Sequence, residues 1–422
     1  MEDKEFKICY RIGSEKMDDF ISLSEGISKI IDYRGKTPKK LGSDWVDDGV
    51  RVISAKNVHN GTLDNIDSIR CVTREVYEKW MKDKIYRNDI FIASEGASMG
   101  ESMIWESDEQ IVLGQRLFAI RTNPEVLNPF YLAMYIRTPG YRKELENHCT
   151  GTSVLGLSQP SLLKTQIRFI PIEEQNYIGD FYRDLCNKVR INNDIIANLE
   201  KHLFALYDEW FGKYKPYNVG VGGNPEYKLE EGWEEKDIYS LANIIYGAPF
   251  ASKYFNTDGV GIPIVRIRDL KGQDLNTFTD EKHPKGYLLQ HGDIVVGMDG
   301  EFRPYIWGED EAWLNQRVCV FDNIRKEGKA YLYCTIKPLL YSVEATEVAT
   351  TVIHIGKKDF DEFRFIMPPE DILCDFESIT NPIYDRIVKC LVENRKLIKL
   401  RDSLLPKLMS GEISIPNQIV GV

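Results

Sequence analysis

Apolar residues recur every seven positions along one stretch: Ile178, Leu185, Asn192, Leu199 and Leu206 form one row. Tyr182, Val189, Ile196, Leu203 and Trp210 form a second, four residues on. Two adjacent rows at this spacing make a helical seam for a partner helix. A matching seam lies 202 residues later, in Ile383, Tyr384, Ile387, Leu391, Asn394, Leu397, Ile398, Leu405 and Leu408. The facing positions are taken as Leu185, Val189, Asn192, Ile196 and Leu203 against Ile387, Leu391, Asn394, Ile398 and Leu405. Asn192 and Asn394 are equivalent. A polar residue there either fixes the register of the two helices, at a cost in stability, or marks a solvated gap.

Pro171 with Glu173 and Glu174 suits the start of the first helix, because acids favour its positive end. Gly212 suits its stop. From Ile172 to Phe211, at ~1.5 Å per residue, the rod is roughly 60 Å long. In the second seam, Asn381-Pro382 reads as an N-cap and first turn, and Pro406 should kink or end the helix.

Outside the seams the chain is written twice. Gly49-Val-Arg-Val-Ile-Ser-Ala-Lys-Asn-Val58 is answered by Gly261-Ile-Pro-Ile-Val-Arg-Ile-Arg-Asp-Leu270, and Asn88-Asp-Ile-Phe-Ile-Ala-Ser-Glu-Gly96 by Gly292-Asp-Ile-Val-Val-Gly-Met-Asp-Gly300. Leu113-Gly-Gln-Arg116 is answered by Leu314-Asn-Gln-Arg317, Gly151-Thr-Ser-Val154 by Ala349-Thr-Thr-Val352, and Arg168-Phe-Ile170 by Arg364-Phe-Ile366. The order is kept while the offset drifts from 212 to 196, as loop insertions would cause. Within each copy, β-branched and aromatic blocks punctuated by glycine read as short strands, with Ile90–Ala93 and Ile294–Val296 fully buried.

The expected architecture is α+β with a pseudo-two-fold internal repeat: two similar globular domains separated by two long antiparallel helices, a coiled-coil-like spacer. The expected boundaries are 1–170, a helix at 171–212, a linker at 213–235, a second domain at 236–375, and a helix with its tail at 376–422.

Hydrophobic residues make up 43% and charged residues 28% of the 422 residues, a globular composition. No apolar run approaches the ~20 residues needed to span a bilayer, and Met1-Glu2-Asp3-Lys4-Glu5 leads into no signal-type stretch. A cytoplasmic location without membrane association is expected. The eight cysteines form no CxxC pair, and they read as free thiols rather than zinc ligands or disulfides. Motifs for a phosphate loop, a zinc protease and a nucleophile elbow are missing. Gly220-Val-Gly-Gly-Asn224 follows no strand signal and reads as linker.

The repeat, together with Asp32-Tyr-Arg-Gly-Lys-Thr-Pro38 and Leu404-Leu-Pro-Lys-Leu-Met-Ser-Gly-Glu-Ile413, resembles the specificity subunit of Type I restriction-modification systems over nearly the whole chain. Two features depart from the pattern: Asn88 stands where the second copy has Gly292, and the first spacer ends in Ala205-Leu-Tyr-Asp-Glu-Trp210. The resemblance implies that each globular copy is a target recognition domain reading one half of a split duplex DNA sequence. It implies that the helices set the gap and dock two methyltransferase subunits. It further implies no catalysis and no cofactor in this chain. S-adenosylmethionine, ATP and Mg²⁺ would belong to the methyltransferase subunits and to restriction subunits.

The net charge of −11 runs against general nucleic-acid binding. Basic residues are nevertheless concentrated locally, from Ala133 to Ile170 (Arg137, Arg142, Lys143, Lys164, Arg168) and from Lys253 to Lys271. The expected DNA contacts are Lys36, Lys39, Lys40, Lys56, Lys253, Arg266, Arg268 and Arg303. Arg116, Arg317 and the hydroxyl pairs Thr152-Ser153 and Thr350-Thr351 recur in both copies. We read them as structural or phosphate-facing, with the Gln-Arg pairs alternatively bonded to Asp89 or Asp293. Specificity should lie where the copies differ, as in Thr37–Asp48 against Phe250–Gly261 and Glu95–Glu101 against Met298–Arg303. Two competing readings are a metal-dependent nuclease using Asp89, Glu95, Asp293 and Asp299, and a protein scaffold with no DNA role.

Overall fold

The computed structural model describes residues 20–59, 61–96, 98–149, 156–212, 229–271, 275–325, 327–346, 354–410 and 412–413. The chain forms two compact units, one of residues 1–186 with 400–422 and the other of residues 187–399.

Each unit carries the same strand plan. In the first, an antiparallel sheet runs in the order Ile27–Asp32, Leu117–Thr122, Ile90–Ala93, Ser102–Ile104. In the second the order is Ala242–Tyr246, Val318–Asn323, Ile294–Gly297, Pro304–Ile306. Ile90–Ala93 and Ile294–Gly297 are buried at every position. That is why they read as unbroken apolar runs instead of alternating ones. Beside each sheet lies a smaller mixed one. Val50–Ile53 pairs antiparallel with Arg70–Val72 and parallel with Val112–Leu113. Ile262–Val265 pairs antiparallel with Phe278–Thr279 and parallel with Trp313–Leu314. These registers make Arg70 the counterpart of Thr277.

The backbone explains one departure within the repeat. Asn88 has φ 71° and Gly292 has φ 81°, so both occupy the left-handed region. Asparagine is among the side chains that enter it most readily. Arg116 and Arg317 share the same unusual conformation, at φ 63° and 70°.

The motif beginning at Asp32 has a structural role. Asp32 takes a bidentate bond from Arg34, whose guanidinium lies 3.9 Å from the Phe118 ring centre and also donates to the Leu157 carbonyl. The Tyr33 hydroxyl accepts from the Asp83 amide at 2.6 Å.

The first long helix spans Ile172–Phe211 and the second Glu370–Ser410. Two sequence expectations are corrected. Asn381-Pro382 is not a helix start; the helix begins eleven residues before Asn381, at Glu370, behind Pro369, with Glu370 and Asp371 in its first turn. Burial of Leu373, Phe376, Glu377 and Thr380 against the second domain outweighs the bond lost at Pro382, and the Thr380 hydroxyl donates to the Phe376 carbonyl. Pro406 does not end the helix either, because Leu405 just before it and Met409 beyond it are both anchored in the first core.

Both cores draw on the helices. In the first unit, Tyr182, Leu405 and Met409 join Ile120, Tyr131 and Ile167, and the Arg168 guanidinium donates to the Met409 carbonyl. In the second, Leu203, Tyr207 and Phe211 join Tyr331, Phe376 and Ile387. The seam positions Val189, Ile196, Leu391 and Ile398 are only half-buried, whereas Leu185, Leu203, Ile387 and Leu405 are buried.

Within the second unit the helices run antiparallel: Asn192 faces Asn394 and Tyr207 faces Phe376. The Asn192 amide donates to Asn394 Oδ1 at 2.9 Å and to the Glu393 carboxylate at 2.9 Å, while the Asn394 amide donates to Asn193 Oδ1 at 2.8 Å. The Asn192 bond holds the Glu393 carboxyl below its ordinary range, aided by Lys188. Asn192 is fully buried and its own Oδ1 has no partner. Replacing Asn192 alone with leucine strands the Asn394 acceptor, a loss of about 1–3 kcal/mol. The double variant N192L/N394L is expected to recover most of that loss while losing the register constraint. Thermal unfolding of the two single variants and the double variant checks this.

Candidate nucleic-acid interface

In the first unit, Lys36, Lys56 and Arg116 line one cleft of about 480 Å³, together with Trp45, Trp80 and Arg70. Glu95, Gln115 and Ser98 complete its polar rim. The strand Val50–Ile53 supplies the floor, and the tight step Leu113-Gly114-Gln115 brings the Gln-Arg pair alongside it. Added bulk at Gly114 would meet the Ile53 carbonyl at 2.7 Å, so glycine permits this approach.

Most cations here are tethered. Lys36 Nζ donates to the Trp80 carbonyl at 3.1 Å and lies 4.5 Å from the Tyr33 ring centre. Lys56 Nζ donates to the Ser68 carbonyl at 3.2 Å. Arg116 pairs with Glu95 at 3.1 Å yet stays largely exposed. In the second unit, Arg317 stands 3.7 Å from Asp299, which also meets His354 Nδ1 at 2.6 Å. The Gln-Arg pairs therefore do not reach Asp89 or Asp293, contrary to that alternative. Each arginine, on a left-handed backbone, meets an acid of an earlier loop, Glu95 or Asp299.

Asp89 and Asp293 are buried structural groups. Asp89 accepts from Arg121 at 2.8 and 2.7 Å and from the Tyr86 amide at 2.8 Å. Asp293 accepts from the Tyr287 hydroxyl at 3.0 Å and the Gln290 amide at 2.8 Å, with Lys329 at 3.6 Å. Among the described residues, no group of three or more His, Cys, Asp or Glu side chains could hold a metal ion.

The remaining expected contacts divide. Lys39 and Lys40 are exposed on the short helix Lys39–Leu41 and lie off the cleft; Lys40 Nζ donates to the Gly35 carbonyl. Lys253 and Arg268 are exposed in the second unit, the former 4.7 Å from the Tyr254 ring centre. Arg266 is corrected to a structural role: its guanidinium grips buried Asp269 at 2.7 and 3.1 Å. Ser54 and Asn57 form the corresponding cap in the first copy. Arg303 pairs with Glu344 and lies 4.0 Å from the Tyr341 ring centre, so it too is held within the fold. Of the basic stretch before Ile170, Arg142 is paired with Glu101 and Arg137 donates to the Tyr182 hydroxyl. Thr152, Ser153, Thr350 and Thr351 lie outside the described residues.

Trp45 lies in the Thr37–Asp48 loop expected to carry specificity, whereas Arg70 had no sequence signal of its own. The comparison of register, Arg70 against Thr277, is the signal that finds Arg70.

Two copies of one α+β plan, each with a Gln-Arg turn beside a mixed sheet and each carrying a long helix, make this an internally duplicated protein. Two segments, residues 24–201 and 230–375, match the family model for the Type I restriction modification DNA specificity domain. The chain belongs to that family. It is 26% identical to the Type I restriction enzyme MjaIX specificity subunit of Methanocaldococcus jannaschii, over 68% of this chain and 69% of that one. It is 32% identical to the EcoBI specificity subunit of Escherichia coli, over 33% of this chain and 30% of that one. The crystal structure of a Type I S subunit from M. genitalium shares the fold, with a TM-score of 0.51 at 14% identity, covering 94% of this chain and 98% of that one. No helix among the described residues is long and apolar enough to cross a membrane.

Proposed function

We propose that this chain reads a bipartite duplex DNA target, one half-site per globular domain, within a Type I complex. Two methyltransferase subunits dock on its helices and methylate adenine, and restriction subunits add ATP-driven cleavage. S-adenosylmethionine, ATP and Mg²⁺ are held by those partners. The observation that carries this reading is one scaffold built twice with altered chemistry along the same edge: Arg70 against Thr277 and Lys56 against Arg268. A duplicated reader of two different words needs a constant frame and variable side chains.

The acidic balance fits a subunit that binds DNA weakly alone, with partners supplying many phosphate contacts. Lys36, Lys56 and Arg116 in the first domain, and Lys253, Arg268 and Arg317 in the second, face the duplex. Lys39 and Lys40 flank the first of these sets. Thr152, Ser153, Thr350 and Thr351 are assigned to phosphate contacts of the two domains.

The test is co-expression with a Type I methyltransferase subunit and mapping of methylated adenines. The expected result is a stable complex and a split recognition sequence with a fixed gap. Methylation at one continuous word, or no association with such a subunit, refutes the proposal. The scaffold reading predicts no preference for specific over random duplex at moderate salt.

A further inference from the structure

We propose that Arg70 is a specificity-determining residue of the first domain and reads a guanine in the major groove of its half-site. The inference rests on the DNA-reading function proposed above and assigns one base contact within it.

Three observations converge. First, Arg70 is exposed at the cleft mouth, with its guanidinium carbon 3.9 Å from the Trp45 ring centre. Stacking on an indole fixes the plane of the guanidinium while leaving its N–H donors at the edge. That is the pre-organised fork which matches guanine O6 and N7. Second, its neighbours are tethered. Lys36 and Lys56 donate to backbone carbonyls and Arg116 pairs with Glu95. Among the described residues, Arg70 has no carboxylate within ion-pair distance. Third, the register makes Thr277 its counterpart, and Thr277 is buried in the second domain. The scaffold thus holds an unpaired, oriented guanidinium in one reader and none at the same place in the other. A residue that served only the shared frame would be expected in both.

The test uses the whole assembly, with methyltransferase subunits, on a duplex library randomised in the first half-site. Arg70→Lys keeps the charge and loses the fork; Arg70→Gln loses both. Both variants are expected to lower discrimination at one guanine by about 10- to 100-fold. Preference at the other positions and at the second half-site should not change, and the second half-site doubles as an internal check on folding. A phosphate contact behaves differently: Arg70→Lys would keep wild-type discrimination, and Arg70→Gln would weaken all sequences alike and flatten the salt dependence. Either of those outcomes overturns the assignment. A wild-type assembly with no preference anywhere in the first half-site would overturn the proposed function, whereas wild-type preference unaltered in both variants would overturn Arg70 alone.

Discussion

Inserting one heptad into each long helix, after Cys186 in the first and after Lys399 in the second, is expected to lengthen the gap between half-sites and leave both half-site words unchanged. The insertion points are where the two compact units divide, so the contacts inside each unit are kept. Seven residues preserve the apolar face of each helix, since the seam repeats at that interval. They add about 10 Å of helix, equivalent to about three base pairs at ~3.4 Å each. Each added base pair also rotates the second word around the duplex, by about a tenth of a turn. Twisting must absorb that rotation, so the expected gain is about one to three base pairs. Methylation mapping of the variant assembly reads the gap directly. An unchanged gap would show that the helices do not measure it, and altered words would show that the insertion disturbed the readers. Inserting into one helix only should uncouple the seam and abolish methylation at the split site.

Arg121→Ala is expected to destabilise the first unit by about 3–5 kcal/mol, the usual consequence of removing one partner from a buried ion pair. The Asp89 side chain is 2% exposed, and both of its oxygens accept from Arg121. Without the guanidinium, the Tyr86 backbone amide remains to stabilise a buried negative charge. Asp89→Asn should relieve the defect in the double variant, because the amide leaves no buried charge without its partner. Denaturant unfolding of the single and the double variant tests both statements. Lys329→Ala in the second unit is the matched control, and its expected effect is smaller. Asp293 keeps a tyrosine hydroxyl and a backbone amide, and Lys329 stands at 3.6 Å. Equal losses in the two units would contradict this account of the two carboxylates.

The same contrast explains how one plan tolerates sequence drift. Position 88 or 292 turns left-handed in both copies, and position 89 or 293 carries the aspartate that ties down the preceding loop. The counter-group differs, with arginine from the neighbouring strand in one copy and tyrosine with lysine in the other. What the scaffold requires is a donor at that point, not a particular residue.

By itself the sequence determined the duplication, the buried central strands and the two helical seams. Each of these is periodic or collinear: strand burial shows in runs such as Ile90–Ala93, helix packing in seven-residue rows, and duplication in preserved order. Tertiary structure decided what depends on residues far apart in the chain. Pro382 sits inside a helix because Leu373 and Phe376 are buried against the second domain. Pro406 is passed because Met409 docks in the first core. Arg266 looked like a DNA contact and instead caps a turn through Asp269, while Arg116 found Glu95 and not Asp89. Arg70 came forward only when strand pairing set it against Thr277 and a loop placed Trp45 beneath it. A charge in a sequence states that a group can pair. Whether it remains available for a ligand is settled by which partners the fold brings within a few ångströms, and local pattern carries no record of that.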